Sequence, residues 1–409
     1  MKDKGQICGE IPGVTLLAGS WELSGTPRKP FSDDAVDFLA ALSDKIRGLS
    51  RREAGEELRT LGFWLRRAHL LGYAAEYQKR HENPRLGMGI SFHIAPSNVP
   101  LLFAYTCAIG LLAGNSCRVR ISGREAENSG AGTFLRLVEE LLAGEFAAMR
   151  QRISFVTYDS ARSDLTELFS AECGARVIWG GDETVRRVRA IPMKAQAVEL
   201  AFPDRTSMAV FGAEEVLSLT EEALLELANR FYNDTYAMDQ NACSCPKIVF
   251  WQEKDAASGR EASERFWNAL ASVSEKYPLS EIKVSEKYGT LWEFCGFSGD
   301  VTAIRRFGNR LYVLETKEAG ALAEETDDGL RFGTFLECHM KEDGEWAQAV
   351  TEKTQTLAFF GVSKADLQCV VAERGLPGVT RIVPVGQALW MEPVWDGRDM
   401  IESLSREIW

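Results

Sequence analysis

Histidine is scarce in this chain: four residues in 409, at positions 69, 81, 93 and 339. That leaves little material for a Ser-His-Asp hydrolytic site. Zinc-type spacing is missing as well. The nine cysteines are scattered and odd in number, Cys243 and Cys245 are separated by a single residue, and no second Cys or His pair stands at ligand spacing, which argues against a structural or catalytic metal. Long apolar runs are absent. The most apolar stretch, Val99 to Ala113, is one helix deep and falls short of the roughly 20 residues a bilayer requires. The start, Met1-Lys-Asp-Lys-Gly5, is polar with no apolar segment behind it, so the expectation is a cytoplasmic protein. Positive charge is in deficit. A net charge of −12 and a pI near 5.1 exclude a general nucleic-acid or anionic-membrane surface, while leaving room for a local basic pocket. No complete G-x-G-x-x-G follows a strand, and Gly130-Ala-Gly132 lies inside a helical pattern. The ordinary dinucleotide fingerprint is therefore lacking.

What is present is an ordinary globular composition, 45% hydrophobic and 26% charged, on a chain long enough for two domains. The first 85 residues read as helical: Ala35, Phe38, Leu39, Leu42, Ile46 and Leu49 make one apolar stripe after Ser32, and a second helical block covers Arg52 to Lys79. From Ile90 strands and helices alternate. Strands at 90–94, 117–121, 153–157 and 177–179 are each followed by a helix on a short connection, which describes a parallel sheet covered on both faces. Its ligands are expected at the C-terminal ends of the strands. A second α/β region begins near Ser207, with a strand at 208–211, a helix over 220–238 and a strand at 247–251. The end carries a strand at 381–385 and a predicted helix over 399–408. The expected organisation is 1–206, a helical region and nucleotide-binding domain; 207–378, a catalytic domain; and 379–409, a segment returning to the nucleotide domain or to an oligomer interface. The fold class is α/β, with two Rossmann-like parallel-sheet domains and a cleft between them.

Three turns carry candidate chemistry. Asp239-Gln-Asn-Ala-Cys243-Ser-Cys245-Pro246 joins a helix to a buried strand. A thiol held in such a turn can be exposed while its flanks fix its position, although a free cysteine is most often buried and inert. Ser97-Asn98 sits at a strand exit before a helix, as an anion-facing donor pair or a simple cap. Gly180-Gly181-Asp182 offers either close backbone approach to a nucleotide or a tight turn with Asp182 as N-cap.

Together these residues resemble a family. Phe92-His-Ile-Ala-Pro-Ser-Asn98, then Gly114-Asn115 and a strand ending at Arg120, Val177-Ile-Trp-Gly-Gly181, Val198-Glu199-Leu and Gln240-Asn-Ala-Cys243 are similar to the aldehyde dehydrogenase superfamily. Leu61-Gly-Phe-Trp-Leu-Arg66, Thr354-Gln-Thr-Leu357, Arg381-Ile-Val-Pro-Val-Gly386 and Trp395-Asp-Gly397 resemble its LuxC-type acyl-CoA (fatty acyl) reductases, in the expected order from about residue 30 onward. The resemblance implies reduction of an acyl thioester to an aldehyde. Cys243, preferred to Cys245, takes the acyl group, and CoA or another thiol leaves. Asn98 and the Cys243 backbone N–H stabilise the oxyanion. Glu199 matches the superfamily's general base, although Glu199-Leu-Ala-Phe lacks the glycines that normally follow, which keeps a salt-bridging carboxylate as the alternative. Gly180 and Gly181 match the nucleotide-contacting turn, and Glu337 matches, by order, the carboxylate that binds the nicotinamide ribose. Arg120, Ser122 and Arg124 stand in the adenosine-ribose region. With Gly123 where NAD-using relatives carry a glutamate, the two arginines favour NADPH over NADH. The resemblance further implies an acyl-activating synthetase as partner and a homo-oligomer. Two other readings stay open: a cysteine acyltransferase or thioesterase that works without nicotinamide, and an inert acyl-binding partner.

Overall fold

The computed structural model describes residues 9–96, 99–297, 300–319, 330–340 and 342–409. The chain divides into two compact units, Met1–Pro203 with Met391–Trp409, and Asp204–Trp390.

The first unit contains β1 (Thr15–Gly19), β2 (Arg85–Gly87), β3 (Ile90–Ile94), β4 (Ser116–Arg120), β5 (Ile153–Thr157), β6 (Ala175–Trp179) and β7 (Val198–Phe202). Six of them form one sheet in the order β1-β5-β4-β3-β6-β7, parallel except for β1. β3 and β6 are buried at every residue, because helices cover both faces of the sheet. On one face Val119, Ile121 and Phe155 meet the helix Leu102–Leu112, itself buried at nearly every position. On the other, Phe92, Ile94 and Ile178 meet Phe169 of the helix Ser163–Glu172. Apolar runs without alternation are what a strand covered on both faces requires.

The second unit contains β8 (Thr206–Gly212), β9 (Pro246–Gln252), β10 (Val301–Phe307), β11 (Leu311–Thr316), β12 (Thr334–Met340), β13 (Thr354–Phe360) and β14 (Arg381–Pro384). They form a seven-stranded sheet in the order β10-β11-β12-β9-β8-β13-β14, with only the edge strand β10 antiparallel. Phe211, Trp251 and Phe335 pack on one face with Trp267, while Met208, Val210, Ile248 and Leu336 pack on the other.

Several elements differ from expectation for local reasons. The helix expected over 99–113 begins only at Leu102, because Leu101 takes a left-handed conformation (φ 58°) and stands as its N-cap. The second helical block breaks at Leu65 and Arg66 into Arg51–Trp64 and Arg67–Arg80. The C-terminal helix is a single turn, Met400–Ser403, after which Ser405–Glu407 pairs antiparallel with β2. Residues 379–390 belong with the second unit, since β14 pairs with β13 and Asp234 accepts hydrogen bonds from the Gly386 and Ala388 N–H groups at 2.6 and 2.9 Å.

Candidate active site

The cysteine turn is built from the second unit alone. The helix Glu221–Thr235, capped by Thr220 on the Ala223 N–H, runs into a 3-10 turn over Tyr236–Met238. Asp239 and Gln240 then both adopt left-handed backbone, with φ of 54° and 62°. Two such residues in succession, neither a glycine, persist only where their surroundings over-determine them, and here they do. Gln240 is fully buried. Its Oε1 accepts the Gly333 N–H at 3.0 Å, and its Nε2 donates to the carbonyls of Thr334 (3.0 Å) and Pro246 (3.4 Å). The Asp239 carboxylate accepts from Tyr277 Oη and from Lys283 Nζ at 2.7 Å, and its backbone carbonyl accepts the Phe332 N–H at 3.3 Å.

The turn sets the two cysteines apart. Cys245 is fully buried, its N–H donates to the Ala242 carbonyl, and burial pushes its thiol up to about 12. Cys243 is half-buried, and its carbonyl accepts from Ser207 Oγ at 2.7 Å. That hydroxyl in turn accepts the Thr356 N–H at 3.1 Å. The backbone is thus pinned at Cys243 from β8 and β13. A thiol held above its ordinary range by burial is a poor nucleophile, whereas a partly exposed one is suited to attack.

Two of the carboxylates expected at the site are committed elsewhere. Glu337 on β12 is fully buried. One oxygen pairs with Arg305, and the other accepts from Trp267 Nε1 (2.7 Å), Ser263 Oγ (2.9 Å) and Trp251 Nε1 (3.2 Å). It faces the Trp267 layer of the core, so the ribose role expected for it is corrected to a structural one. Glu199 on β7 lies opposite Arg176. Arg176 Nε reaches one oxygen at 2.7 Å and Arg189 Nε the other at 3.1 Å. Two guanidinium groups, one of them the buried Arg176, engage both of its oxygens, the salt-bridging alternative to the expected role as base.

The nucleotide-region residues lie in the first unit. Arg120 ends β4, with its guanidinium 5.0 Å from the Tyr158 ring centroid and Nη2 donating to the Tyr158 carbonyl at 3.2 Å. Its Nε is buried and has no hydrogen-bond partner among the described residues. Burial, and after it the charge of Arg187, pushes this guanidinium below its usual range. Arg124 is exposed. Ser122 Oγ accepts the Glu125 N–H at 3.2 Å as the cap of the one-turn helix Gly123–Ala126, so it serves first as a cap. Gly180 donates to the Phe202 carbonyl, and Gly181 is the N-cap of the helix Asp182–Arg189. Asp182 is therefore the first helical residue and not the cap. Ser97 and Asn98 lie outside the described residues.

Arg187, Ser207, Tyr277, Lys283 and Gly333 were not singled out in the sequence. The last four reach the cysteine turn across separations of 36 to 93 residues, and no local pattern marks Ser207, Tyr277 or Lys283. The left-handed Gly333 (φ 81°) is the one with a local signature, since a Cβ there would meet the Arg310 carbonyl at 2.2 Å.

This fold is that of the aldehyde dehydrogenases. Solved structures similar to the chain include lactaldehyde dehydrogenase from Escherichia coli (14% identity, TM-score 0.62, covering 91% of this chain and 85% of that one). Aldehyde dehydrogenase 21 from Physcomitrella patens, in complex with the reaction product succinate, is similar at 11% identity, TM-score 0.63 and coverage of 91% and 84%. PnpE in complex with nicotinamide adenine dinucleotide is similar at 14% identity, TM-score 0.63 and coverage of 91% and 84%. Direct comparison with curated protein sequences found no match. Residues 51–407 match the LuxC acyl-CoA reductase family, and the chain belongs to it. No described helix is long and apolar enough to cross a membrane.

Proposed function

We propose that this chain reduces an acyl-CoA, or an acyl thioester on another carrier, to the aldehyde, with NADPH as reductant and a thioester on Cys243 as the intermediate. The observation that carries the reading is the contrast within the cysteine turn: Cys245 buried with its thiol raised to about 12, Cys243 half-buried with its carbonyl pinned by Ser207. The Cys243 thiolate attacks the acyl carbonyl, and the C–S bond to CoA breaks, releasing CoA as its thiolate. The new linkage is again a thioester, so the carbonyl keeps its electrophilicity. Bound NADPH would supply the hydride that reduces this acyl group. Collapse of the resulting thiohemiacetal on Cys243 then releases aldehyde and restores the thiol, and the balance is acyl-CoA, NADPH and a proton to aldehyde, CoA and NADP⁺. The Cys243 backbone N–H and the Asn98 amide are assigned to the oxyanion.

The residues of the first unit fit a phosphorylated nucleotide. Among the described residues Arg120 keeps a buried Nε without partner, the charges of Arg187 and Asp159 act on it in opposite senses, and Arg124, shortly after Arg120 in sequence, is exposed. Guanidinium groups with unused donors suit an anion such as a 2′-phosphate. Gly180 and Gly181 offer backbone to the same nucleotide. An acyl-activating synthetase as donor, a homo-oligomer and a cytoplasmic location belong to this reading.

The test is to incubate the protein with acyl-CoAs of increasing length and NADPH, following nicotinamide absorbance and trapping aldehyde. The reading expects aldehyde in step with NADPH oxidation, and an acyl adduct on Cys243 when NADPH is withheld. CoA release with no NADPH consumption would replace it with a cysteine acyltransferase or thioesterase.

A further inference from the structure

Lys287, on the helix Glu281–Phe297, is 2% exposed, and among the described residues no ion pair reaches it. Its ammonium instead donates to three backbone carbonyls, Phe332 at 3.0 Å, Gly333 at 3.1 Å and Asn309 at 3.1 Å, and lies 4.1 Å from the Tyr312 ring centroid. Burying a lysine without a carboxylate is costly, so what it holds is informative. Phe332 and Gly333 are the second pair of consecutive left-handed residues in this unit (φ 55° and 81°), and they face the first pair, Asp239 and Gln240. The Gly333 N–H donates to Gln240 Oε1, and the Phe332 N–H donates to the Asp239 carbonyl. The same peptide segment is thus gripped by Lys287 on its carbonyls and passes its N–H groups to the turn that carries Cys243.

We infer that Lys287 is a positioning residue for the thiol: through the Phe332–Gly333 segment and Gln240 it fixes the backbone of the Cys243 turn in its reactive geometry. The inference rests on Cys243 being the nucleophile. The Lys287 ammonium meets peptide carbonyls and the Tyr312 ring, and it acts through those peptide groups. A methionine at position 287 fills the volume and removes the ammonium from three carbonyls, of which Gly333 keeps the Tyr312 N–H at 2.9 Å, and it loosens the segment that anchors Gln240. Lys283, Tyr277, Ser207 and the Gln240 bonds to Thr334 and Pro246 stay in place.

The experiment measures iodoacetamide labelling of Cys243 by mass spectrometry in the whole protein, alongside single-turnover acylation and NADPH binding. Lys287→Met and, as an independent break in the same relay, Gln240→Glu are compared with Phe266→Leu. Phe266 is a fully buried residue among Phe211, Phe231 and Trp267, outside the relay. The expected result is a fall of about 10- to 100-fold in labelling and acylation for the first two, with the NADPH dissociation constant unchanged and labelling in Phe266→Leu unchanged despite its lower melting temperature. Labelling at the parent rate in both relay variants would overturn the inference. So would an equal fall in Phe266→Leu, which would reduce the effect to general stability. Should Lys287→Met not fold, Gln240→Glu carries the decision alone. A parent protein whose Cys243 labels readily but never accepts an acyl group defeats the reductase reading while leaving the relay standing, which separates the two.

Discussion

The cysteine turn of the second unit and the arginine edge of the first are built on opposite principles. Around Cys243 polar groups are paired ahead of any ligand. Gln240 uses its amide oxygen and its amide nitrogen, Asp239 takes a tyrosine and a lysine, and the Phe332–Gly333 segment is clamped by Lys287. At the arginine edge Arg120 keeps a buried nitrogen unpaired among the described residues, under the charge of Arg187. On the proposed reading Cys243 is the nucleophile and must stand in place before the substrate arrives, which an over-determined turn with two left-handed non-glycine residues would serve. A phosphate site gains by leaving cations unsatisfied until the anion supplies the pairing.

The largest expected effect breaks the first half of this contrast. Cys243→Ala should lower reductase turnover roughly 10⁴-fold or more while NADPH still binds, and Cys245→Ala should keep most of it. Retained turnover in Cys243→Ala, measured as trapped aldehyde, would move the nucleophile elsewhere. Next comes the arginine edge. The double change Arg120→Ala with Arg124→Ala should raise KM for NADPH about tenfold or more and leave the value for NADH nearly unaltered, so equal losses with both nucleotides would sever the arginines from the 2′-phosphate. Glu199→Gln sharpens the distinction between a base and a structural partner. Arg176 is 2% exposed at its side chain against 19% for Glu199, so removing one negative partner should cost about 2 kcal/mol of stability, with turnover at the optimum changed less than about threefold. A loss of several orders of magnitude would restore Glu199 as base.

The smallest effect concerns pH. Burial raises the Asp234 carboxyl from 3.8 to about 7. Between those values the folded chain holds a proton that the unfolded chain has released. The Asp234 contribution to stability is therefore fully present below 3.8 and is lost as pH rises through about 7. Since Asp234 ties down Gly386 and Ala388, Asp234→Asn should flatten this part of the pH dependence of the melting temperature, read as the difference between the two proteins from pH 4 to 8. An unchanged slope would show that Asp234 stays ionised in the fold.

Much of the architecture was legible because it is written in short-range pattern. Runs such as Ile90–Ile94 and Ala175–Trp179 read as doubly covered strands since they contain no polar alternation. Local reading failed where a distant partner decided the outcome. The tail expected as a helix over 399–408 gave its last residues to β2, some 320 positions earlier. The 99–113 helix lost its first turn to a left-handed Leu101, whose N–H donates to the Glu125 carboxylate at 3.1 Å. The candidate site divides in the same way. Gln240 and Cys243 stand out as a motif, but Glu199, placed by its Val-Glu-Leu match, and Glu337, placed by order along the chain, are held by Arg176 and Arg189 and by Trp267 and Arg305.

The sequence by itself determined the class of this protein: an α/β chain of the LuxC acyl-CoA reductase family, with a cysteine in a helix-to-strand turn and arginines at a strand exit. Those features follow from periodicity and from residues that are neighbours along the chain. Only the tertiary structure decided which cysteine is buried, which carboxylates are already spent, and that a buried lysine stands behind the turn. Burial and hydrogen-bond pairing are set by side chains from other elements, brought within about 3 Å of one another only when the sheets and helices have packed.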